Sequence, residues 1–592
     1  MNFPIPVTNK TMELADCRDA WFFDPQYNAW CLEDILYTSK ATTPKFQRLS
    51  IYVPAPYMKE GGFINESGAL GKYTATTAPI LFANNSAGYM QMPHTWLGGP
   101  RDDSAQFLSR GIIYVTAGSR GRESRDQDGV LCGKSPWTLI DLKTAIRFLR
   151  HNKTVLPGDW NKIISMGTSA GGAMSTLLGV TGNNRCYDAF LTQNGAFMDE
   201  RDDVLASQIY CPIIDLDHAD IAYEWQFHND EENEDSPAGP AGKMTPFHKA
   251  FSAELAKEYI QYFNSLGLKD ESGIPLLLGS DGRSGTAYTY LMQLLNDSAT
   301  EYLTRLSEGR LEAKYTPADY LSGNYTYKAP APKPAGGPGK KDDIGLHHAG
   351  AAVMMPPIGE EGPDGMPGAP DDAMKTPGGM PGRGPKPHLS LGDLVCRPPK
   401  GVEYKPMEPP MVDTPGKDKR AWLTWDGKRA EICDLDTYIL NHRRRMKPCT
   451  SFDTLGNDSG ENQEFGTADH DYMHFDEYLL PALEKVKDAF PEEYARYHDE
   501  FAAVIGDKEL ARRRYLINPF NFIGTDEKSD AAAHYRIRVG ASDADTAFTM
   551  TMTLACKLAM AGKDTDYALV WDLPHCSADY PGEAADWVES FT

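Results

Sequence analysis

Apolar positions in the first third of the chain fall into short β-branched runs separated by stretches with helical spacing. RLSIYVPAP, APILFAN and GIIYVTAG predict strands, and PWTLIDLKTAIRFLRHN predicts a helix that Pro136 is placed to open. KIISMGTSAGGAMSTLLGV passes from a buried strand pattern directly into a helix of small residues, and AFLTQNG predicts a further strand. Strands and helices alternating in this way predict a parallel sheet covered on both faces.

Beyond residue 205 long helical patterns take over, among them FHKAFSAELAKEYIQYFNSL and FDEYLLPALEKVKDAF. The alternation then returns: HYRIRVGAS reads as a strand, TAFTMTMTLACKLAMAG as a helix and YALVWDL as another strand. An interrupted sheet predicts an α/β core in two parts, 1–205 and 516–592, around a mainly helical insertion, 206–515, that would cover the site as a lid. Within the insertion, the segment 325–390 is too rich in Pro and Gly to pack a core and reads as a disordered loop. A chain of 592 residues exceeds one compact core, in keeping with a core plus a large insertion.

The candidate chemistry lies where strand meets helix. Gly167-Thr168-Ser169-Ala170-Gly171 fits GxSxG, a string that a chain with 53 glycines can also produce by chance as a packed helix start. Here it ends an apolar strand and opens a small-residue helix, the setting in which a nucleophilic serine is held on a sharp turn. On that fold the acid and then the histidine should follow the serine in the chain. After the last predicted strand the one histidine is His575, in WDLPHCSADYPG. A lone histidine is usually a surface or satisfied core residue, but its order and loop position both agree with the base of a triad. The acid is expected in the loop after HYRIRVG, where the spacing admits either Asp543 or Asp545. Two backbone N–H groups should face the developing oxyanion. One is that of Ala170, and the other comes from the loop 84–89, with Ala87 favoured among its small residues. The expectation is an α/β-hydrolase fold carrying a serine esterase.

These elements together resemble the bacterial tannases, in particular the larger subtype B members. The similar stretches are the elbow GTSAGGAMS, CPIIDLDHADIAYEWQF at 211–227, MKPCTSFDTLGNDSGENQEFG at 446–466, and ASDADTAF followed by His575. The resemblance implies hydrolysis of galloyl esters by a Ser-Asp-His triad. It makes Asp543 the triad acid and assigns Asp545, Lys447 and Glu461 to the gallate hydroxyls. Two carboxylates and an ammonium match three adjacent phenols chemically. Without the resemblance, Lys447 and Glu461 would read as a solvated surface pair. The aspartates of CPIIDLDHAD read as helix caps or as ties between insertion and core. Cys576 beside the histidine resembles fungal tannases and feruloyl esterases that link it to a cysteine beside the serine, but position 168 is Thr.

A formal charge of −24 argues against nucleic acid or an anionic membrane surface as the main partner, and the small phenolic ester expected instead is what the resemblance implies. Ten sparse cysteines with no CxxC pairing, an N-terminus without a signal pattern and no long apolar run lead to a cytoplasmic expectation. Acyl transfer of this kind requires no metal or cofactor. The rivals are a feruloyl or chlorogenate esterase on the same scaffold and a catalytically silent relative acting as a binding protein. A prolyl-oligopeptidase-like peptidase is disfavoured because no propeller repeat is visible.

Overall fold

Nine strands share one sheet: β1 (Phe22–Asp24), β2 (Ala29–Leu36), β3 (Arg48–Pro54), β4 (Ile80–Asn84), β5 (Ile113–Ala117), β6 (Ile163–Thr168), β7 (Ala206–Tyr210), β8 (His534–Gly540) and β9 (Asp564–Val570). Their order is β1-β2-β3-β5-β4-β6-β7-β8-β9. The pairs β1–β2, β2–β3 and β3–β5 are antiparallel, and every pair from β5–β4 to β8–β9 is parallel. Every residue of β4, β5 and β7 is buried, as parallel strands covered on both faces must be. The computed structural model describes residues 13–99, 102–233, 242–311, 316–322, 326–330, 411–415 and 422–592.

Against the core pack α1 (Trp137–His151), which starts right after Pro136, and α2 (Ala170–Val180), in which every residue is buried. The strand expected at AFLTQNG is instead a short helix, α3 (Asp188–Gln193). Leu191 is its one buried residue, and Phe190 packs edge-on against Trp137 at 5.4 Å. Such a one-sided apolar stripe suits a helix lying on the core, not a strand buried on both faces. The sheet position falls to β7, ASQIY, whose polar Ser207 and Gln208 disguise it. Ser207 Oγ bonds Ser165 Oγ at 2.9 Å and donates to Ser175 O at 3.0 Å, so the hydroxyl is buried without an unmet partner. The expected division at 205/206 therefore cuts just ahead of a core strand.

Between β7 and β8, which are neighbours in the sheet, the chain makes a long, mainly helical excursion. It includes α4 (Ala219–Phe227), α5 (Pro246–Ser265), α6 (Thr286–Ser307), α7 (Leu435–His442), α8 (Gly460–Glu464) and α9 (Leu479–Val486). The pattern FDEYLLPALEKVKDAF is helical as α9 only from Leu479. Ahead of it, the N–H groups of Phe475 and Asp476 are taken by the Asp453 carboxylate at 2.6 and 2.8 Å, which fixes that backbone outside the helix. The Pro/Gly-rich stretch 325–390 lies outside the described residues, save Thr326–Pro330, which pair antiparallel with Met411–Pro415. After β8 comes α10 (Phe548–Met560), then β9. Among the described residues no helix is long and apolar enough to cross a membrane.

The β6–α2 junction is packed backbone on backbone. A Cβ on Gly171 would lie 2.7 Å from Asn84 Oδ1 and 2.9 Å from Ser86 O, and one on Gly167 would lie 2.3 Å from Gly171 O. Gly171→Ala is thus expected to push the loop after β4 away from the junction. Any activity of the Ser169 site should fall roughly 10–100-fold in a folded protein, the scale of an ångström-sized misplacement. Unchanged kcat/KM in the variant would mean that this contact does not position the site.

Candidate active site

Ser169 occupies the sharp turn between β6 and α2 with φ 63° and ψ −124°, a backbone region that a non-glycine residue adopts only when its surroundings enforce it. The enforcement is visible. Its N–H donates to Tyr210 O at 3.0 Å, and its carbonyl accepts from Ile213 N at 3.2 Å and Ala173 N at 3.0 Å. The elbow is therefore clamped to the end of β7.

The loop after β4 is drawn to the same junction. Asn84 Nδ2 donates to Met166 O, Gly171 O and Ser175 Oγ, each at 3.0 Å, and Gly171 N–H donates to Ser86 O at 3.0 Å. That bond sets Ala87 one residue from a contact with the helix that Ala170 opens. Tyr89 extends the brace, its hydroxyl donating to Ile213 O at 2.8 Å.

Asp543 and His575 meet at the ends of β8 and β9. His575 Nδ1 lies 2.8 Å from Asp543 Oδ2, and Asp545 Oδ2 is 4.0 Å from the same nitrogen. Asp545 N–H donates to Asp543 Oδ1 at 2.8 Å. Of the two aspartates that the spacing admits, Asp543 is thus the one bonded to the imidazole. His575 Nε2 is buried and has no hydrogen-bond partner among the described residues. Burial works to lower the His575 pKa, but the two facing carboxylates outweigh it and raise it well above the ordinary value. Burial likewise works to raise the pKa of Asp543, and His575, Arg443 and the Asp545 N–H hold it below the usual carboxylate range. The histidine loop is pinned to the nucleophile strand by a 2.7 Å hydrogen bond between Thr168 and Ser577 hydroxyls. It joins the two loops that the cysteine pair of the fungal enzymes would link.

Cys211 completes a buried trio: its sulfur, an Asp543 oxygen and a His575 nitrogen all lie within 4.8 Å of one another. Burial, then the nearby Asp543, pushes the thiol up to about 12, and Gly540 N–H donates to the sulfur at 3.4 Å. Asp543 and His575 are bonded to each other, and the Cys211 thiol packs against both.

The family model described as BD-FAE, an esterase family, matches residues 132–234. No curated protein matches the chain. Among solved structures, tannin acyl hydrolase from Lactobacillus plantarum superposes with a TM-score of 0.66 at 26% identity, over 95% of this chain and 94% of that one. The Fusobacterium nucleatum tannase gives the same values. A tannin acyl hydrolase in complex with ethyl gallate gives 0.65 at 27% identity, again over 95% and 94%. The chain is a relative of the bacterial tannases. It is a carboxylic ester hydrolase.

In this tannase relative, Lys447 and Glu461 are each 7% exposed, and among the described residues neither makes an ion pair. The Lys447 ammonium lies 3.7 Å from the centre of the Phe452 ring. Glu461 belongs to α8, whose Ser459 and Asn462 form a reciprocal cap. Arg122 ties α8 to the loop after β4 by holding both Gln463 and Gly88 O. Of the CPIIDLDHAD aspartates, Asp220 takes the N–H groups of Ser451, Phe452 and Asp453 at 2.6–2.9 Å. Asp215 takes His218, Tyr262 and Asn518. Both work as ties.

Two residues escaped sequence reading. Tyr223 OH donates to Ala544 O at 3.0 Å and accepts the N–H groups of Met446 and Lys447 at 3.2 and 3.1 Å, joining the Lys447 segment to the Asp543–Asp545 loop. Nothing in a helical run marks one tyrosine as a junction. Arg443 heads a run of three arginines, all of them buried. Tyr223→Phe leaves three backbone groups without that partner, so thermal unfolding should show a loss of about 1–3 kcal/mol. An unchanged melting temperature would show that the junction is dispensable.

Proposed function

We propose that the chain is a serine esterase of the α/β-hydrolase fold that hydrolyses galloyl esters of tannins and simple gallates, releasing gallic acid. The observation that carries the reading is His575: buried, bonded to Asp543 through Nδ1, with Nε2 unpartnered and its loop fastened beside the strained Ser169 turn. In this mechanism Ser169 Oγ attacks the ester carbonyl as His575 Nε2 takes its proton. Asp543 orients the imidazole, and the N–H groups of Ala170 and Ala87 receive the oxyanion. His575 then returns the proton to the departing alcohol, and water releases the acid by the same route.

Substrate choice is assigned to Lys447, Glu461 and Asp545. Asp545 Oδ2 is buried with no hydrogen-bond partner among the described residues, as befits an acceptor reserved for a phenol. Lys447 and Glu461 are also removed from water without pairing, and three adjacent hydroxyls would supply what each lacks. The excursion that carries Lys447 and Glu461 acts as the lid. Free cysteines throughout the described residues favour action in the cytoplasm.

Methyl gallate should be hydrolysed with kcat/KM on the order of 100-fold or more above methyl ferulate, because a site built for three adjacent hydroxyls is left partly unpaired by a longer acyl group that carries one hydroxyl and a methoxy group. Ser169→Ala should abolish turnover of both. Preference for ferulate would retain the esterase and sink the clamp, whereas full activity of Ser169→Ala would sink the mechanism.

The two aspartates should separate. Asp543→Asn is expected to cut turnover on every ester, by roughly 10³–10⁴-fold, and Asp545→Asn chiefly on galloyl ones. His575 must be neutral to act as base, so kcat/KM should rise with pH through its raised pKa, on the alkaline side of 6.5. Removing the Asp545 charge should move that limb to lower pH, measured on an ester without phenolic hydroxyls. A limb that stays in place would show that Asp545 does not act on the imidazole.

A further inference from the structure

Arg443 follows α7 and is completely buried, and the mechanism above makes no use of it. Its Nη2 donates to Thr546 O at 3.1 Å and lies 3.7 Å from Asp543 Oδ1. The guanidinium carbon stands 4.4 Å from the Phe548 ring centre and 5.0 Å from that of Phe227. Nε and Nη1 have no hydrogen-bond partner among the described residues. Its neighbours in the run are answered directly, Arg444 by Asp230 and Arg445 by Glu224, both as two-pronged pairs. Arg443 instead stands 3.7 Å from its carboxylate without a direct hydrogen bond to it, and Asp543 holds His575 through Oδ2 and the Asp545 N–H through Oδ1.

A buried cation so incompletely answered is costly, and a stability role would be served better by an apolar side chain of similar volume. The charges around the imidazole suggest what offsets that cost. His575 faces Asp543 and Asp545 from the loop after β8 and the neutral Cys211 thiol from the end of β7. Two carboxylates against one imidazole favour a permanent imidazolium, which cannot take a proton from serine. Arg443, behind Asp543, is the positive charge that opposes this.

We propose that Arg443 is a positioning residue that holds Asp543 ionised and turned toward His575 from behind, and offsets the negative charge crowded around the imidazole so that it can serve as a base. The proposal rests on the reading of Ser169, His575 and Asp543 as the catalytic set. Arg443 touches no reacting atom. It acts through Asp543, with Phe548 and Phe227 holding the guanidinium plane in place.

The test uses the full-length chain with methyl gallate. Arg443→Met is expected to lower kcat about 10–100-fold with KM within a factor of about two, and to move the rising limb of kcat/KM about one pH unit upward. Arg443→Lys, which keeps the charge, should restore the limb to within a few tenths of a unit. A folded Arg443→Met protein whose limb stays put, or a Lys variant no better than Met, overturns the proposal. Should Arg443→Met fail to fold, Asp543→Asn is compared with the Asp543→Asn, Arg443→Met double variant. Removing both charges should give a higher melting temperature than stranding the arginine alone, and an equal or lower one overturns the pairing. Ser169→Ala run alongside keeps the questions apart: residual full activity there defeats the catalytic reading, whatever Arg443 does.

Discussion

Glu224 and Arg445 are both cut off from solvent and bonded to each other through two contacts, and much of the site follows from that pair. Glu224 belongs to α4, near the start of the excursion, and Arg445 lies some two hundred residues later. Neither charge could stay buried alone: losing one partner of such a pair typically costs about 3–5 kcal/mol. The bond therefore forces the chain entering the excursion to meet the chain returning from it. Arg445 then uses its remaining Nε–H on Lys447 O at 2.8 Å, which carries the constraint into the Lys447 segment. One turn earlier on α4, Asp220 collects three successive N–H groups at 451–453. A single helix thus fixes both ends of the loop that follows Lys447.

The candidate catalytic residues are held on a different principle. Ser169, the Asp543 loop and the His575 loop follow β6, β8 and β9 of one parallel array, with β7 between the first two, so their separation is set by the strand spacing of the sheet. What remains is orientation, and it is supplied by short local bonds: Asn84 across the elbow, Gly540 against the histidine loop, and the Thr168–Ser577 hydroxyl pair. A hydrogen bond in place of a disulfide suits a chain whose described cysteines are all free. Tyr223 is where the two systems touch, because one hydroxyl binds the acid loop and the Lys447 segment together. The candidate recognition residues and the candidate triad are thereby held in one frame.

Local rules were enough to single out Ser169 as the candidate nucleophile. GxSxG at a strand-to-helix junction, followed in order by an aspartate loop and one histidine loop, is a pattern in which each step constrains the next. The resemblance to bacterial tannases likewise rested on segments that lie around the site. Pattern failed where polar residues stood inside the core. Ser207 and Gln208 hid β7, and a short apolar run passed for a strand at 189–195 although it forms α3. The charge run Arg443, Arg444 and Arg445 carries no local sign that all three are buried.

The sequence by itself determined the alternation of strand and helix, the strained turn at Ser169 and the chain order of the catalytic candidates. Hydrophobic period and turn chemistry are local properties, readable within a dozen residues. Tertiary structure alone decided which of Asp543 and Asp545 bonds the histidine, that Tyr223 joins two distant loops and that Arg443 stands behind the acid. Those outcomes depend on which buried donor meets which buried acceptor across hundreds of residues. No local pattern encodes that, because the cost of an unmet polar group appears only once the chain has closed around it.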